Sequence, residues 1–273
     1  MKFYTQTHKH YCGIDLHARC LYVCILDQDG TVLVHQNIKA NPQAYVYPRE
    51  MRGTRDLMRR RMHLMRKRSE LLAHIHNTNS QYNLPEIKKN LRYAFNREGI
   101  TERFSDASVQ KSIELDLNLI GFYDQQLSKV EWFIQQQART CDQHSLILLR
   151  TVPGIGKILS LVILYEIHSI ERFPTVQNFA SYCRLIKCKK ESAGKSYGTS
   201  GKKIGNAYLK WAFSEAAVLF LRKNPDAQAW VERMANKHNK ARALTILAHK
   251  LGRAVYFMLK RKTVFDQERF LNR

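Results

Sequence analysis

Acidic residues are scarce in this sequence. Its 273 residues include 23 Asp and Glu against 45 Lys and Arg, which gives a formal net charge of +22. Such an excess of one sign opposes a compact state unless a partner of opposite charge neutralises it. The composition therefore predicts a polyanionic partner, nucleic acid first, although ribosomal and membrane-surface proteins share the same bias.

Long apolar runs are also missing. The longest one, around residues 158–163, is far shorter than the roughly 20 residues that a membrane-spanning helix needs. The first residues, MKFYTQTHKHYCGID, contain no apolar core of a signal peptide. We therefore expect a cytoplasmic protein that does not contact a membrane.

Closely spaced cysteine pairs are nearly absent. The six cysteines are Cys12, Cys20, Cys24, Cys141, Cys183 and Cys188. Zinc sites usually combine two short-spaced pairs, and the pair Cys20 and Cys24 has no counterpart. The pattern favours a reduced protein without a structural metal.

The N-terminal part carries the β signals. Residues 11–15, 21–26 and 31–34 are predicted strands, and Asp27–Gly30 is a predicted hairpin turn between the last two. Three strands form a stable sheet only when helices or a partner cover them.

The remainder is predicted to be helical, so the expected fold class is α+β, mostly α. A helix is predicted from 49 to 79 and another from 109 to 140, after a break at Pro85. Their apolar stripes comprise Met51, Leu57, Met58, Leu64, Met65, Leu71 and Leu72, then Ile113, Leu117, Ile120, Leu127, Val130 and Ile134. This spacing favours an antiparallel coiled-coil hairpin or a dimer arm. The predicted domains are 1–48, a coiled-coil region at 49–144, and a helical C-terminal domain at 145–273.

An arginine run surrounds the first stripe. Arg59, Arg60 and Arg66 are candidate phosphate contacts, and the alternative for them is an ordinary solvated helix face.

The segment Val152–Lys157, VPGIGK, is typical of a helix–hairpin–helix turn. Gly154 and Gly156 allow a tight turn, and the following helix then offers unpaired N–H groups to a phosphate. With Lys157 beside them, these residues predict contact with the DNA backbone, which carries no sequence information. A plain helical hairpin is the alternative.

A lysine-rich segment from 187 to 203 follows and is predicted to be a loop. Its candidate DNA contacts are Lys189, Lys190, Lys195, Lys202 and Lys203. Ser192 lies among them, and a serine can attack a phosphodiester when nearby cations stabilise the developing charge. A mobile, solvated loop would have the same composition.

Asp15 ends the first predicted strand, in Gly13-Ile-Asp-Leu-His17. Ribonuclease-H-like folds hold a catalytic Mg²⁺ with an acid in that place. Two-metal phosphoryl chemistry needs several oxygen ligands, so Asp15 would need further carboxylates.

On these residues the chain resembles the insertion-sequence transposases of the IS one-ten family, which include RNA-guided bridge recombinases. YCGIDLHARCLYVCILDQDG resembles the start of the family's RuvC-like domain, and the heptad region resembles its coiled coil. The stretch from LLRTVPGIGKILSLVILYEI to LAHKLGRAVYFMLKRKTVFD resembles its C-terminal transposase domain.

The resemblance implies a mechanism and partners. Four acids of the family's RuvC-like domain bind Mg²⁺, and a serine of the transposase domain forms a covalent link to DNA within a multimeric synapse. Asp15 matches the first acid and Ser192 matches the serine. DNA, a structured noncoding guide RNA and further copies of the chain are the implied partners, in a bacterial or archaeal nucleoid.

The chain also departs from the family pattern. After Ile38-Lys-Ala it passes almost directly to PQAYVYP, which resembles the segment just before the coiled coil. The intervening strands and helices, which carry the other three acids, are absent, so most of the RuvC-like domain is missing. Two functions follow: a DNA transposase, or a catalytically incomplete remnant that binds nucleic acid or full-length partners. A basic ribosomal or RNA-chaperone protein would explain the charge but not the glycine turn joined to the serine segment.

Overall fold

The computed structural model describes residues 7–16, 20–39, 45, 47–186, 188–192, 195–200 and 205–272. The chain forms two compact units, Met1–Tyr47 and Pro48–Arg273. The three-part division predicted from the sequence stays a prediction.

The N-terminal unit is an antiparallel sheet of three strands in chain order. The strands are β1 (His10–Leu16), β2 (Cys20–Asp27) and β3 (Val32–Lys39). Asp27 shapes the turn between β2 and β3, since its Oδ1 accepts hydrogen bonds from the backbone N–H groups of Asp29 and Thr31, at 3.0 and 2.8 Å. Gly30 takes a φ of +81° in the same turn. The small sheet predicted from the sequence is confirmed.

The second unit begins with two long helices, α1 (Arg49–Gln81) and α2 (Ala107–Cys141). Asp106 starts α2 because its side chain accepts hydrogen bonds from the N–H groups of Ser108 and Val109. The two helices are antiparallel, because residues later in α1 contact residues earlier in α2. The contacts are two ion pairs, Arg61–Glu131 at 2.6 Å and Arg68–Asp124 at 2.8 Å, and a hydrogen bond between His74 and Asp116 at 2.5 Å.

The far end of this helical hairpin has its own small core. The connection between the helices contains two short 3-10 helices, Ala94–Asn96 and Thr101–Arg103. The core comprises Leu72, Ile75, Ile87, Leu91, Ile100, Phe104, Ile113 and Ile120. The predicted apolar stripes therefore pack against each other within one chain. A supercoiled coiled coil remains a prediction.

The described part of the second unit contains seven further helices. They are α3 (Gln143–Arg150), α4 (Lys157–Ile167), α5 (Val176–Tyr182), α6 (Ala207–Phe220), α7 (Pro225–Lys237), α8 (Lys240–Arg261) and α9 (Gln267–Leu271), with a 3-10 turn at Ile170–Arg172. Helix α4 lies at the centre, with every residue from Leu159 to Ile167 buried. It packs against α1, α3 and α6, so residues at its two ends have fixed surroundings.

The lysine-rich segment is not the irregular loop that its composition predicts. It contains two antiparallel strands, β4 (Cys188–Ser192) and β5 (Lys195–Ser200). We call residues 188–200 the serine hairpin. Polar side chains do not prevent a strand ladder, because backbone N–H and C=O groups make its hydrogen bonds.

Within the described part of the chain, no helix has the length and apolar character needed to cross a membrane. The mostly helical α+β fold class is confirmed.

Candidate nucleic-acid interface

Gly154 is held in the turn between α3 and α4 by close packing. Its φ is +85°, a region that favours glycine. A Cβ atom at this position would lie 2.6 Å from the backbone nitrogen of Phe220 and 2.9 Å from the carbonyl oxygen of Ala216. The turn is thus pressed against the α6 backbone, where no side chain fits.

Gly156 has a different environment. It is exposed, its φ is −82°, and an added Cβ would meet no atom within 4 Å. It is the N-cap of α4, and no described side chain caps this end. The first N–H groups of α4 are therefore open to an outside acceptor, beside the exposed Lys157.

A cavity of about 530 Å³ lies in front of this helix end. Gly156 and Lys157 line it together with Arg150, Gln135 and Gln143. These last three side chains carry hydrogen-bond donors. No sequence motif marks Gln135 on α2 or Gln143 on α3. Arg150 could have been found from the sequence, because it lies just before the glycine turn.

The register of the serine hairpin fixes the position of Ser192 in the strand ladder. Ser192 is the last residue of β4 and pairs with Lys195, the first residue of β5. Lys189 pairs with Thr199 nearer the base, and Lys190 lies at the irregularity between Lys189 and Glu191. The predicted contacts Lys202 and Lys203 lie outside the described residues.

The base of the serine hairpin is anchored on both sides. Arg184 Nε donates a hydrogen bond to the carbonyl oxygen of Gly205, at 2.9 Å. The backbone N–H of Asn206 donates to the carbonyl oxygen of Tyr182, at 2.6 Å. Gly205, with a φ of +91°, passes so close to Tyr182 that a Cβ would lie 2.6 Å from its oxygen. The chain therefore enters and leaves the hairpin at one fixed place.

A buried carboxylate lies behind this base. Glu166, on α4, is 2% exposed and accepts two hydrogen bonds from Arg59 of α1, at 2.7 and 2.8 Å. Asn206 Nδ2 donates a third, at 2.6 Å, to Glu166 Oε2. Asn206 also caps α6 through its Oδ1, which accepts from the N–H groups of Tyr208 and Leu209. We call Arg59, Glu166 and Asn206 the Glu166 clamp.

Arg59 is therefore committed to internal contacts. Its guanidinium also lies 4.7 Å from the centre of the Tyr208 ring, and the hydrogen bond to Glu166 raises the pKa of Arg59. Arg60 and Arg66, by contrast, are exposed. The DNA contacts of all three arginines stay predictions, and the geometry favours Arg60 and Arg66 for them.

Helix α4 connects its uncapped N-terminal end to the base of the serine hairpin. Lys157 starts the helix, and Glu166 lies nine residues later, which corresponds to about 14 Å along the axis. The uncapped helix end and the base of the serine hairpin are thus held by one buried, rigid element. This spacing is within the reach of a single nucleic-acid ligand.

The described residues do not form the magnesium site that the family resemblance implies. Asp15 is exposed on β1 and pairs in register with Tyr22. On β2, Asp27 lies five residues beyond Tyr22, which corresponds to about 17 Å along the strand. Its carboxylate accepts hydrogen bonds within the hairpin turn. No group of three or more metal-ligating side chains occurs among the described residues. Asp15 as a metal ligand stays a prediction.

Comparison with known proteins identifies the region that carries these features. Residues 147–232, about a third of the chain, match the domain model of the IS116/IS110/IS902 transposase family. This region of the chain is therefore similar to the transposase domain of that family. It is also similar to the uncharacterized 43.6 kDa protein of insertion element IS110 from Streptomyces coelicolor, with 27% identity over 120 residues. That match covers 44% of this chain and 30% of the relative, so the chain matches less than a third of the relative's length.

The matched domain contains most of the candidate interface. The glycine turn, the serine hairpin and two members of the Glu166 clamp lie within 147–232. Arg59 and Asp15 lie outside it. The transposase family predicted from the sequence is confirmed for this domain, whereas the RuvC-like and helix–hairpin–helix assignments stay predictions.

Proposed function

We propose that the chain is a DNA transposase or recombinase that cuts and rejoins DNA through Ser192. The observation that carries the proposal is the family domain, which spans the uncapped α4 end and the serine hairpin together. The N-terminal end of α4 and Lys157 bind a phosphate of the DNA backbone, and the lysines of the serine hairpin contact further phosphates of the same DNA strand.

In the proposed reaction the Ser192 oxygen forms a bond to phosphorus while the bond from phosphorus to a deoxyribose oxygen breaks. The hydroxyl proton ends on that leaving oxygen, and the protein keeps a phosphoserine link to DNA. Lys195 pairs with Ser192 in register, and in this proposal its cation stabilises the developing charge. Reversal on a second strand rejoins the DNA.

The experiment is capture of the covalent adduct. The full chain is incubated with donor DNA carrying the element ends, and protein–DNA links are measured after denaturation. We expect an adduct that Ser192→Ala abolishes and that Ser200→Ala, at the base of the hairpin, retains. Arms with and without candidate RNA, transcribed from the flanking noncoding DNA, test the guide.

A second function is favoured because Asp15 belongs to no group of three or more metal-ligating side chains among the described residues. On this view the chain is a catalytically incomplete remnant that binds nucleic acid or full-length partners. It predicts DNA binding with no adduct under any condition, whereas an adduct lost in Ser192→Ala excludes it.

Self-association is the remaining part of the proposal. An exposed apolar row follows helical spacing along α2, through Leu115, Leu119 and Phe122, which are 54, 47 and 54% exposed. Such a row is a common feature of an interface between copies.

We expect the wild-type chain to dimerise or form higher oligomers, and the double change Leu119→Ser and Phe122→Ser to yield monomers without loss of thermal stability. Sedimentation at several concentrations measures this, with Val264→Ser, an exposed change away from α2, as control. A concentration-independent wild-type monomer would contradict the prediction.

A further inference from the structure

A second cavity, of about 720 Å³, lies between α7, α8 and α9, and most of its lining is beyond the matched domain. Its lining includes three cations, Lys250, Arg253 and Arg261, and the aromatic rings of Trp230, Phe257 and Phe270. Asp266 is the single carboxylate in that lining, and its Oδ1 already accepts from the N–H of Arg269. We call this cavity the α8 cleft.

Lys250 is the unusual residue of the α8 cleft. Its ammonium nitrogen is buried without a hydrogen-bond acceptor among the described residues, and lies 4.8 Å from the ring centres of both Trp230 and Phe270. Burial lowers the pKa of Lys250. An ammonium group with no acceptor costs folding free energy, so a role outside folding would explain why a cation stands here.

The rest of the lining indicates what supplies the acceptor. The Arg261 guanidinium lies over one face of the half-buried Phe257 ring, 4.9 Å from its centre, so an aromatic ring and a positive charge lie together in this lining. Proteins that bind single strands combine these two elements: aromatic faces stack the bases, and cations hold the phosphates. The size of the cleft is within the usual range for a small ligand such as one nucleotide.

The α8 cleft is also joined to the candidate interface. The backbone N–H of Phe265, in its wall, donates a hydrogen bond to Thr151 Oγ1, at 3.0 Å. Thr151 directly precedes the glycine turn, and the Phe265 ring contacts that of Phe220, whose backbone packs on Gly154. A strand held at the α4 end would therefore pass close to the cleft.

We propose that the α8 cleft binds one unpaired nucleotide of the nucleic-acid substrate. The base stacks on Phe257, and its phosphate accepts hydrogen bonds from Arg253, Arg261 and Lys250, whose ammonium reaches it by rotation of its terminal bonds. The inference depends on nucleic-acid binding in the proposed function but not on strand cleavage.

The test measures binding of the full chain to two oligonucleotides, a perfect duplex and the same duplex with an unpaired overhang. We expect wild-type protein to prefer the overhang, and Phe257→Leu to reduce that preference by about fivefold or more. Lys250→Met should also reduce it, and should lower the salt dependence of overhang binding by about one unit of slope. Its melting temperature should stay the same or rise, which a purely structural lysine would not allow.

The control is Lys210→Met, which removes an exposed lysine from α6 and should leave the preference unchanged. Wild-type preference in both Lys250→Met and Phe257→Leu would overturn the inference while leaving DNA binding intact. Competition by a polyglutamate peptide that depends on Lys250 would overturn it in favour of an acidic protein partner. Failure of the wild-type chain to bind any nucleic acid would overturn the proposed function itself.

Discussion

Replacing Gly154 by alanine is expected to destabilise the second unit by about 2–5 kcal/mol. The left-handed backbone contributes about 1–3 kcal/mol of that cost. The added Cβ contributes a similar amount, because it would lie 2.6 Å from a backbone nitrogen of α6, and neither backbone can move without disturbing buried residues. Thermal or urea unfolding measures the loss, which corresponds to a melting temperature lower by about 5–15 °C for a unit of this size.

Gly156→Ala is the matched control, two residues away in the same turn. Its φ is ordinary and an added Cβ would meet open space, so we expect a loss below about 1 kcal/mol. The two variants therefore test separately the packing of Gly154 against α6 and the contact of a phosphate with the α4 end at Gly156. Equal stability losses in both would contradict the packing explanation, and weaker DNA binding by a stable Gly156→Ala protein would support phosphate contact at the α4 end.

The helices could be predicted from the sequence because their signals are local. Apolar residues recur at helical spacing through α1 and α2, and Asp106 and Asn206 are capping residues directly before their helices. The strands of the N-terminal sheet were equally clear, since β-prone residues flank a turn that ends in Gly30. The resemblance to the transposase family followed from the same stretches taken together.

The features that the sequence did not reveal depend on distant partners. Gly154 needs to be glycine because the backbone of α6, more than 60 residues later in the chain, packs against it. The residues next to Gly154 give no indication of this contact. The pairing of Arg59 with Glu166 joins residues 107 positions apart. The serine hairpin was missed for a different reason: its ladder uses backbone groups, while its Ser, Gly and Lys side chains are typical of loops.

The Glu166 clamp leads to the second large effect. Arg59→Ala should destabilise the second unit by about 2–3 kcal/mol, because it leaves a carboxylate that is 2% exposed without its charged partner. We place the loss below the 3–5 kcal/mol that fully buried pairs reach, since the Arg59 side chain is 34% exposed and water screens part of the interaction. Arg59→Lys should recover only part of the stability, because an ammonium cannot donate two parallel hydrogen bonds to Glu166.

Arg60→Ala, at the next position of α1, removes the same charge from an exposed site and should change stability by less than about 0.5 kcal/mol. Because Asn206 binds the same carboxylate and ends the segment that carries the serine hairpin, Arg59→Ala should also speed protease cleavage between 186 and 205. Adding Glu166→Gln removes the unpaired charge, so the double variant should be more stable than Arg59→Ala alone. If the two changes instead destabilised additively, the clamp would not be acting as a charged pair, and Arg59 would be available for DNA after all.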